Sequence, residues 1–213
     1  MQSAADKRSE MQDRLFEKCL EHAAFDQWST RALQNAANDL DIDPLEARRY
    51  FPRGSSSLLS HLDKWLDRRL KQTLLSAGNV KAGARIGLGD VVLRRLDPLA
   101  SHQETFRQAI AAKLLPQHAF DTLSSLFVTT SNVAAIAELT EEERVALNNP
   151  IARFGLGALI SAATLYWLQD TSPNNANTRR FVERRVARLP QSRRRFRTSM
   201  SHFPVAKYFR PHA

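Results

Sequence analysis

The 213-residue chain is 43% hydrophobic, 25% charged and net positive by nine, which suits a soluble globular body and excludes fibrous and wholly disordered classes. It has one cysteine, Cys19, so no intramolecular disulfide can form; the residue reads as a half-buried thiol on the first helix. With 28 Ala and 27 Leu against 9 Val and 6 Ile, and only 7 Gly for turns, the expected class is all-α.

The opening "MQSAADKRSEMQDR" has no apolar stretch, and residues 1–10 read as a disordered N-terminus. The longest near-apolar run, "FGLGALISAATLYWL" over 154–168, is shorter than the ~18 to 20 residues of a spanning helix. Neither a secretion signal nor a membrane span is expected.

Spacing and capping predict nine or ten helices. The first runs from Met11 to Ala24, with Leu15, Phe16, Cys19, Leu20 and Ala23 on one face. "FDQWSTRALQNAANDL" opens the second, capped by Ser29 or Thr30, with Leu33, Ala36, Ala37 and Leu40 inward. In "DPLE", Asp43 is the cap, Pro44 the first helical residue and Glu46 the partner three positions on. This third helix is short and stops before Pro52 and Gly54. A long fourth helix carries Leu58, Leu59, Leu62, Trp65, Leu66, Leu70 and Leu74 in a stripe, ending at Gly78 and Asn79. These four make a helix-turn-helix-like lobe over 11–78.

A larger bundle is expected over 79–174, with helices at Val80–Leu96, His102–Leu115 and Phe120–Ala137, a short acidic turn at "TEEERVAL", and the apolar run to Leu168. A last helix spans 175–189. Its Phe181, Val182, Val186 and Leu189 share one side and Arg180, Arg184 and Arg188 another, an amphipathic pattern able to rest on anionic lipid; the competing reading packs that apolar side on the bundle. Residues 190–213 read as a basic, flexible tail.

From Arg179 to Ala213 there are eleven Lys or Arg and one acid, Glu183, whereas the preceding 178 residues hold twenty basic and twenty-one acidic side chains. The positive field therefore belongs to the C-terminal segment. Arginines interleaved with Phe196, Phe203, Tyr208 and Phe209 also suit nucleic acid.

Six scattered histidines give no metal-ligand spacing, and "GARIGLG" lacks the preceding strand of a dinucleotide loop, so its glycines read as close-packing positions. "TEEE" reads as the acidic first turn of a helix rather than a general acid, and no nucleophile has an activating neighbourhood. The expectation is no catalytic residue, no metal and no cofactor.

"ALQNAANDLDIDPLEARRYF" resembles the helix-turn-helix of TetR-type repressors, with Ala37, Ile42, Asp43, Tyr50 and Phe51 at the packing, turn, cap and closing-aromatic positions. It departs where Asp41 replaces the usual turn glycine and Glu46 occupies the groove-facing start of the third helix. Asp39, Asp41, Asp43 and Glu46 outweigh Arg48 and Arg49, which works against approach to a polyanion.

A wider resemblance covers about Asp13 to Leu189. "FDQWSTRAL", "FPRG", "LRRLDPL", "AAKLLPQHA" and above all "LYWLQDTSPNNANTRRFVERRVARL" are similar, in order, to the accessory lipid-binding family of ubiquinone biosynthesis, the ninth of the COQ series. In the last run Gln169, Asp170, Ser172, Pro173, Thr178, Phe181, Arg185 and Val186 match in register. The resemblance implies a TetR-like fold, a homodimer, a lipid pocket in the larger lobe, membrane contact through the last helix, and a noncatalytic role presenting isoprenoid quinone to a hydroxylase. Of the family's patch for that enzyme, "NNPIAR" keeps only Asn148 and Arg153, which become the candidate partner contacts, and "NNAN" replaces its acidic-aromatic residues after "SP".

The expected pocket residues are Leu93, Leu96, Ile110, Leu114, Leu123, Leu126, Phe127, Leu159, Ile160, Ala163 and Trp167, on inward faces of four helices, with ordinary core as the alternative for each. Small residues Gly155, Gly157, Ala158, Ala162 and Ala163 leave volume or permit close packing. The expected membrane contacts are Phe181, Val182, Arg184, Arg185, Val186 and Leu189. The expected location is cytoplasmic, peripheral on the inner membrane, or the mitochondrial matrix in a eukaryote. The alternative function is a TetR-type regulator with a hydrophobic effector, and a helical scaffold with no ligand is the third.

Overall fold

The computed structural model describes residues 3–76 and 86–188, where every regular element is helical. Ten α-helices run in order: α1 Ala4–Asp26, α2 Thr30–Asp39, α3 Pro44–Tyr50, α4 Ser55–Ser76, α5 Leu88–Arg94, α6 Gln103–Lys113, α7 Ala119–Ile136, α8 Glu141–Leu147, α9 Pro150–Trp167 and α10 Ala176–Val186. Short 3-10 turns precede α6, α7 and α10. They form two compact units, Met1–Ala84 with Arg94–Thr129, and Arg85–Leu93 with Thr130–Ala213. The division differs from the expected boundary at 78/79, because α6 and the first half of α7 group with the N-terminal helices.

In the first unit α1 starts at Ala4, well before Met11, which corrects the expectation of a disordered 1–10 segment. Ser3 accepts from the Asp6 backbone N–H and Asp6 accepts from the Ser3 backbone N–H, a capping box that starts a helix with no large apolar residue before Met11. Leu15, Phe16, Cys19, Leu20 and Ala23 are all buried, as are Leu33, Ala36 and Ala37 of α2 and the whole Leu58–Leu74 stripe of α4. Cys19 is fully buried, not half-buried, and burial pushes its thiol up to about 12.

Ser29 caps α2 and Asp43 caps α3, accepting from Leu45 N–H at 2.8 Å with Pro44 in the first turn. Between them Asp41 has φ 54°, the left-handed conformation that glycine adopts at no steric cost. Phe51 closes the motif, buried edge-on against His61 with ring centroids 5.3 Å apart. The His61 Nε2 lies 2.8 Å from Asp13 Oδ1, and Arg68 shares the same carboxylate. Burial holds the His61 imidazole below its ordinary pKa, despite Asp13 pulling the other way.

In the second unit the acidic "TEEERVAL" forms α8, with a capping box between Thr140 and Glu143. Asn149 caps α9, and Pro150 sits in its first turn. α10 lies along α9 and sets Val182 and Val186 over Gly89 of α5, where a Cβ would meet them at 3.6 and 3.8 Å. Those are ordinary van der Waals distances, so the packing here does not require the glycine that was expected as a close-packing position. Leu189 and the tail from 190 lie outside the described residues, as do Gly78 and Asn79.

Candidate functional site

A cavity of about 480 Å³ is an open groove in the second unit lined by Ile151, Ala152, Phe154, Gly155, Ala158, Leu159 and Ala162 of α9, by Phe181 and Arg185 of α10, and by Arg188. Gly155, Ala158 and Ala162 recur at helical spacing, so a strip of α9 facing the groove, between the larger Ile151, Phe154 and Leu159, has little side-chain bulk. That leaves the volume, while Ile151 and Phe154 stay 48% and 71% exposed at its edge. The Phe181 ring stacks on Tyr166 at 5.0 Å with an interplanar angle of 6°, and the Arg185 guanidinium sits over Phe181 at 5.3 Å. A cation is thus fixed against an aromatic wall at the groove's rim. An apolar floor with cations at one side suits an amphiphile with a polar or anionic head.

The groove is held by the chain signature that precedes α10. Asp170 accepts from the Ser172 backbone N–H at 2.9 Å and hydroxyl at 2.5 Å, and from the Thr178 backbone N–H at 2.7 Å and hydroxyl at 2.6 Å. Desolvation opposes ionisation, but these four donors keep the carboxyl well below the usual carboxylate range. Asn174 and Asn175 both adopt left-handed backbone (φ 52°), which asparagine tolerates better than most residues. "QDTSPNNANT" is therefore a tether that fixes where α10 starts.

Of the eleven expected pocket residues only Leu159 lines this groove. Ile160, Ala163 and Trp167 are buried core of the second unit, with Leu93 half-buried; Leu96 is buried in the first unit, with Ile110 and Leu126 half-buried. The inward placement of Leu114, Leu123 and Phe127 is overturned: they are 73%, 59% and 61% exposed, and Phe120 is 81% exposed. The small residues were the better guide, since Gly155, Ala158 and Ala162 line the groove while Gly157 and Ala163 are buried.

The reason lies in charges the sequence reading did not pair. Asp63 and Asp67, one helical turn apart on α4, receive Arg95 and Lys113: Arg95 Nε is 2.9 Å from Asp67 and its Nη2 3.2 Å from Asp63, and Lys113 Nζ is 2.5 Å from Asp63. Ser125 donates to Asp63 and Thr129 to Asp67. The polar side of α7 therefore faces inward, and its apolar side, Phe120, Leu123 and Phe127, faces solvent. Burial would raise Asp63, yet Lys113 and Arg95 hold it well below the carboxylate range. Arg95 and Lys113 come from "LRRLDPL" and "AAKLLPQHA", so the signal was present in two matched segments but read only as likeness.

On α10, Val182 is fully buried and Phe181 and Val186 half-buried, while Arg184 and Arg185 are exposed. Val182 is thus not a membrane contact in this conformation; its side packs on the bundle, the competing reading of that helix. Asn148 is exposed, and Arg153 Nε donates to the Leu147 carbonyl at 2.9 Å, closing the α8–α9 corner. Among the described residues no helix is long and apolar enough to cross a membrane, and no group of three His, Cys, Asp or Glu is placed to hold a metal ion.

Residues 124–193, which contain α9, the tether and α10, match the family model described as COQ9. The chain is similar to the COQ9 family. It is 24% identical over 177 residues to the mitochondrial ubiquinone biosynthesis protein COQ9 of Drosophila melanogaster, covering 81% of this chain and 53% of that protein. Against the Homo sapiens protein of the same name identity is 27% over 188 residues, covering 85% and 58%. The chain thus spans a little over half the length of these COQ9 relatives. In fold it is similar to a TetR transcriptional regulator from Nitrosomonas europaea, with a TM-score of 0.63 and 23% identity over 84% of this chain and 97% of that one. The all-α, TetR-like fold expected from the sequence is the fold observed.

Proposed function

We propose that this chain is a noncatalytic accessory protein of ubiquinone biosynthesis that holds an isoprenoid quinone or related lipid at a membrane surface and presents it to a hydroxylase. The observation that carries the reading is the open apolar groove between α9 and α10, bordered by Arg185 and Arg188, inside the segment that matches COQ9. Its volume falls in the range of small-molecule sites, roughly 300 to 1,000 Å³. The named role of the COQ9 relatives supplies the pathway, and their mitochondrial naming supports a place on the matrix side of a membrane, or the inner face in a bacterium. A homodimer and a hydroxylase contact through Asn148 and Arg153 belong to the same reading.

Mass spectrometry of lipid retained by the purified chain tests it. Isoprenoid quinone or another amphiphile should accompany the parent protein and be lost from Ala158→Phe, which fills the groove floor. An apolar extract equally rich from both proteins would remove the groove from the account.

The helix-turn-helix favours a second reading, a DNA-binding regulator. Asp39, Asp41, Asp43 and Glu46 are all exposed along the approach side, where neutralising phosphates requires cations. A gel shift at moderate salt separates the two readings, and no retardation is the expected outcome.

A further inference from the structure

Because Ser125 and Thr129 donate to Asp63 and Asp67, the outward side of α7 in the first unit is left with Phe120, Leu123, Phe127 and Val128, each more than half exposed. Thr122 Oγ1 donates to the Lys113 carbonyl at 3.1 Å. That bond sets the end of α6, with exposed Leu114 and Leu115, beside the first turns of α7 and widens the apolar patch. We propose that this is the face through which two copies of the chain pair, α7 lying antiparallel to α7 with Ser124 at the two-fold axis. The inference takes the homodimer from the reading above and assigns its interface, without involving the lipid groove.

Area is the first argument. With roughly 150 to 200 Å² for each whole side chain, the exposed parts of these residues amount to about 600 Å² of apolar surface, the upper end of what a monomer leaves open to water. Homodimer interfaces are about 65% apolar, so a patch of this size corresponds to about 900 Å² per copy, and a standard interface needs only about 800 Å².

Charge is the second. The only charged residue of α7 is Asp121, and Arg53 already lies 3.3 Å from it. A helix resting on anionic lipid carries Lys or Arg beside its apolar side, and α7 has neither. A partner chosen by charge finds nothing to read, whereas an uncharged face meets its own copy without repulsion. Two-fold pairing also requires a surface complementary to itself. Phe120 and Val128 lie about one turn to either side of Ser124, so antiparallel pairing sets each against the other and brings the small, exposed Ser124 to the point of closest approach.

Sedimentation equilibrium of the full chain from about 1 to 100 μM, the weak end of what interfaces this size reach, tests the pairing. Dimer should form across this range, and dilute chain should be monomeric, with Leu123 meeting water. Phe120→Lys and Val128→Glu, made separately, each set a charge against an apolar residue and should self-associate at least about tenfold more weakly. Urea midpoints of the dilute variants should stay near the parent's, since both positions are exposed. An equimolar mixture of the two variants should recover association: position 120 of one copy meets position 128 of the other, so one contact becomes an ion pair and its symmetry mate stays native. Variants that dimerise as the parent does, or a mixture no tighter than either variant alone, would overturn this interface while the homodimer stands. A parent monomeric throughout would remove the homodimer too. Flotation of such a monomer with phosphatidylcholine vesicles, abolished by Phe120→Lys, would give the face to a membrane instead. Lipid retained by parent and both variants alike is expected, so the groove is judged separately through Ala158→Phe.

Discussion

Asp41 and His61 show how single positions in the first unit bear load that composition does not advertise. Asp41 sits at φ 54° in a turn where the TetR motif has glycine, and its left-handed backbone costs energy that glycine avoids. Asp41→Gly should therefore stabilise the chain by about 0.5 to 1 kcal/mol in urea unfolding; a loss of stability would mean the carboxylate has a structural task. His61 lies between Phe16 and Phe51, with ring centroids 5.2 and 5.3 Å away, and against Asp13. Its folded pKa is lowered, so the unfolded chain takes up the proton first. Stability due to this group is complete above the ordinary histidine value near 6.5 and declines as pH falls through and below it. The slope is at most about 1.4 kcal/mol per pH unit for one proton. Thermal midpoints from pH 7.5 to 5 should fall along this limb in the parent and less steeply in His61→Gln.

Among the elements, α10 and α7 are instructive because each inverts a simple rule. α10 is secured at its start by a carboxylate two turns of chain away from its first residue: Asp170 collects four donors from Ser172 and Thr178. Asp170→Ala should cost about 1 kcal/mol, the usual worth of a helix cap, and hydrogen exchange should accelerate in α10 while α9 keeps its protection. In α7, Ser125 and Thr129 face the Asp63 and Asp67 carboxylates, which turns the large apolar residues outward. Leu123→Gln should then change stability by no more than about 0.5 kcal/mol, whereas Ser125→Val strips Asp63 of a donor and should cost about 1 to 3 kcal/mol. Helical period reveals that α7 has an apolar side, yet it cannot tell whether that side meets core or water; the answer depends on α4, sixty residues away. By contrast, caps at Ser29 and Asp43, the acidic first turn at 140–143, and the stripes of α1 and α4 were legible because each depends only on neighbours within one or two turns. The start of α1 was missed because hydrophobicity was the criterion, and Ser3 with Asp6 nucleates a helix by polar pairing alone.

For the molecule as a whole, fold class was readable from Ala and Leu abundance together with capping signals, and the candidate site only through Gly155, Ala158 and Ala162, whose small volume is a local property. The groove's cations, and the cluster of Asp63, Asp67, Arg95 and Lys113, required pairings that sequence spacing does not encode. Those charges matter for global stability: Arg95 is 3% exposed and touches both Asp63 and Asp67. Arg95→Met would remove the cation shared by the two inward carboxylates and should lower the unfolding free energy by about 3 to 5 kcal/mol, read from urea midpoints at neutral pH. Acid should act similarly, since Asp63 is held ionised by these cations: its contribution is intact above the ordinary carboxylate range and lost as pH drops below about 4 toward its depressed value. The three tryptophans are distributed usefully for watching such losses. Trp28 and Trp65 are buried in the first unit and Trp167 in the second, so the chain carries its own dyes. A version with phenylalanine at 28 and 65 would glow only from the groove-bearing half, and comparing its melting curve with the parent's would reveal whether the two halves come apart in one event or in succession.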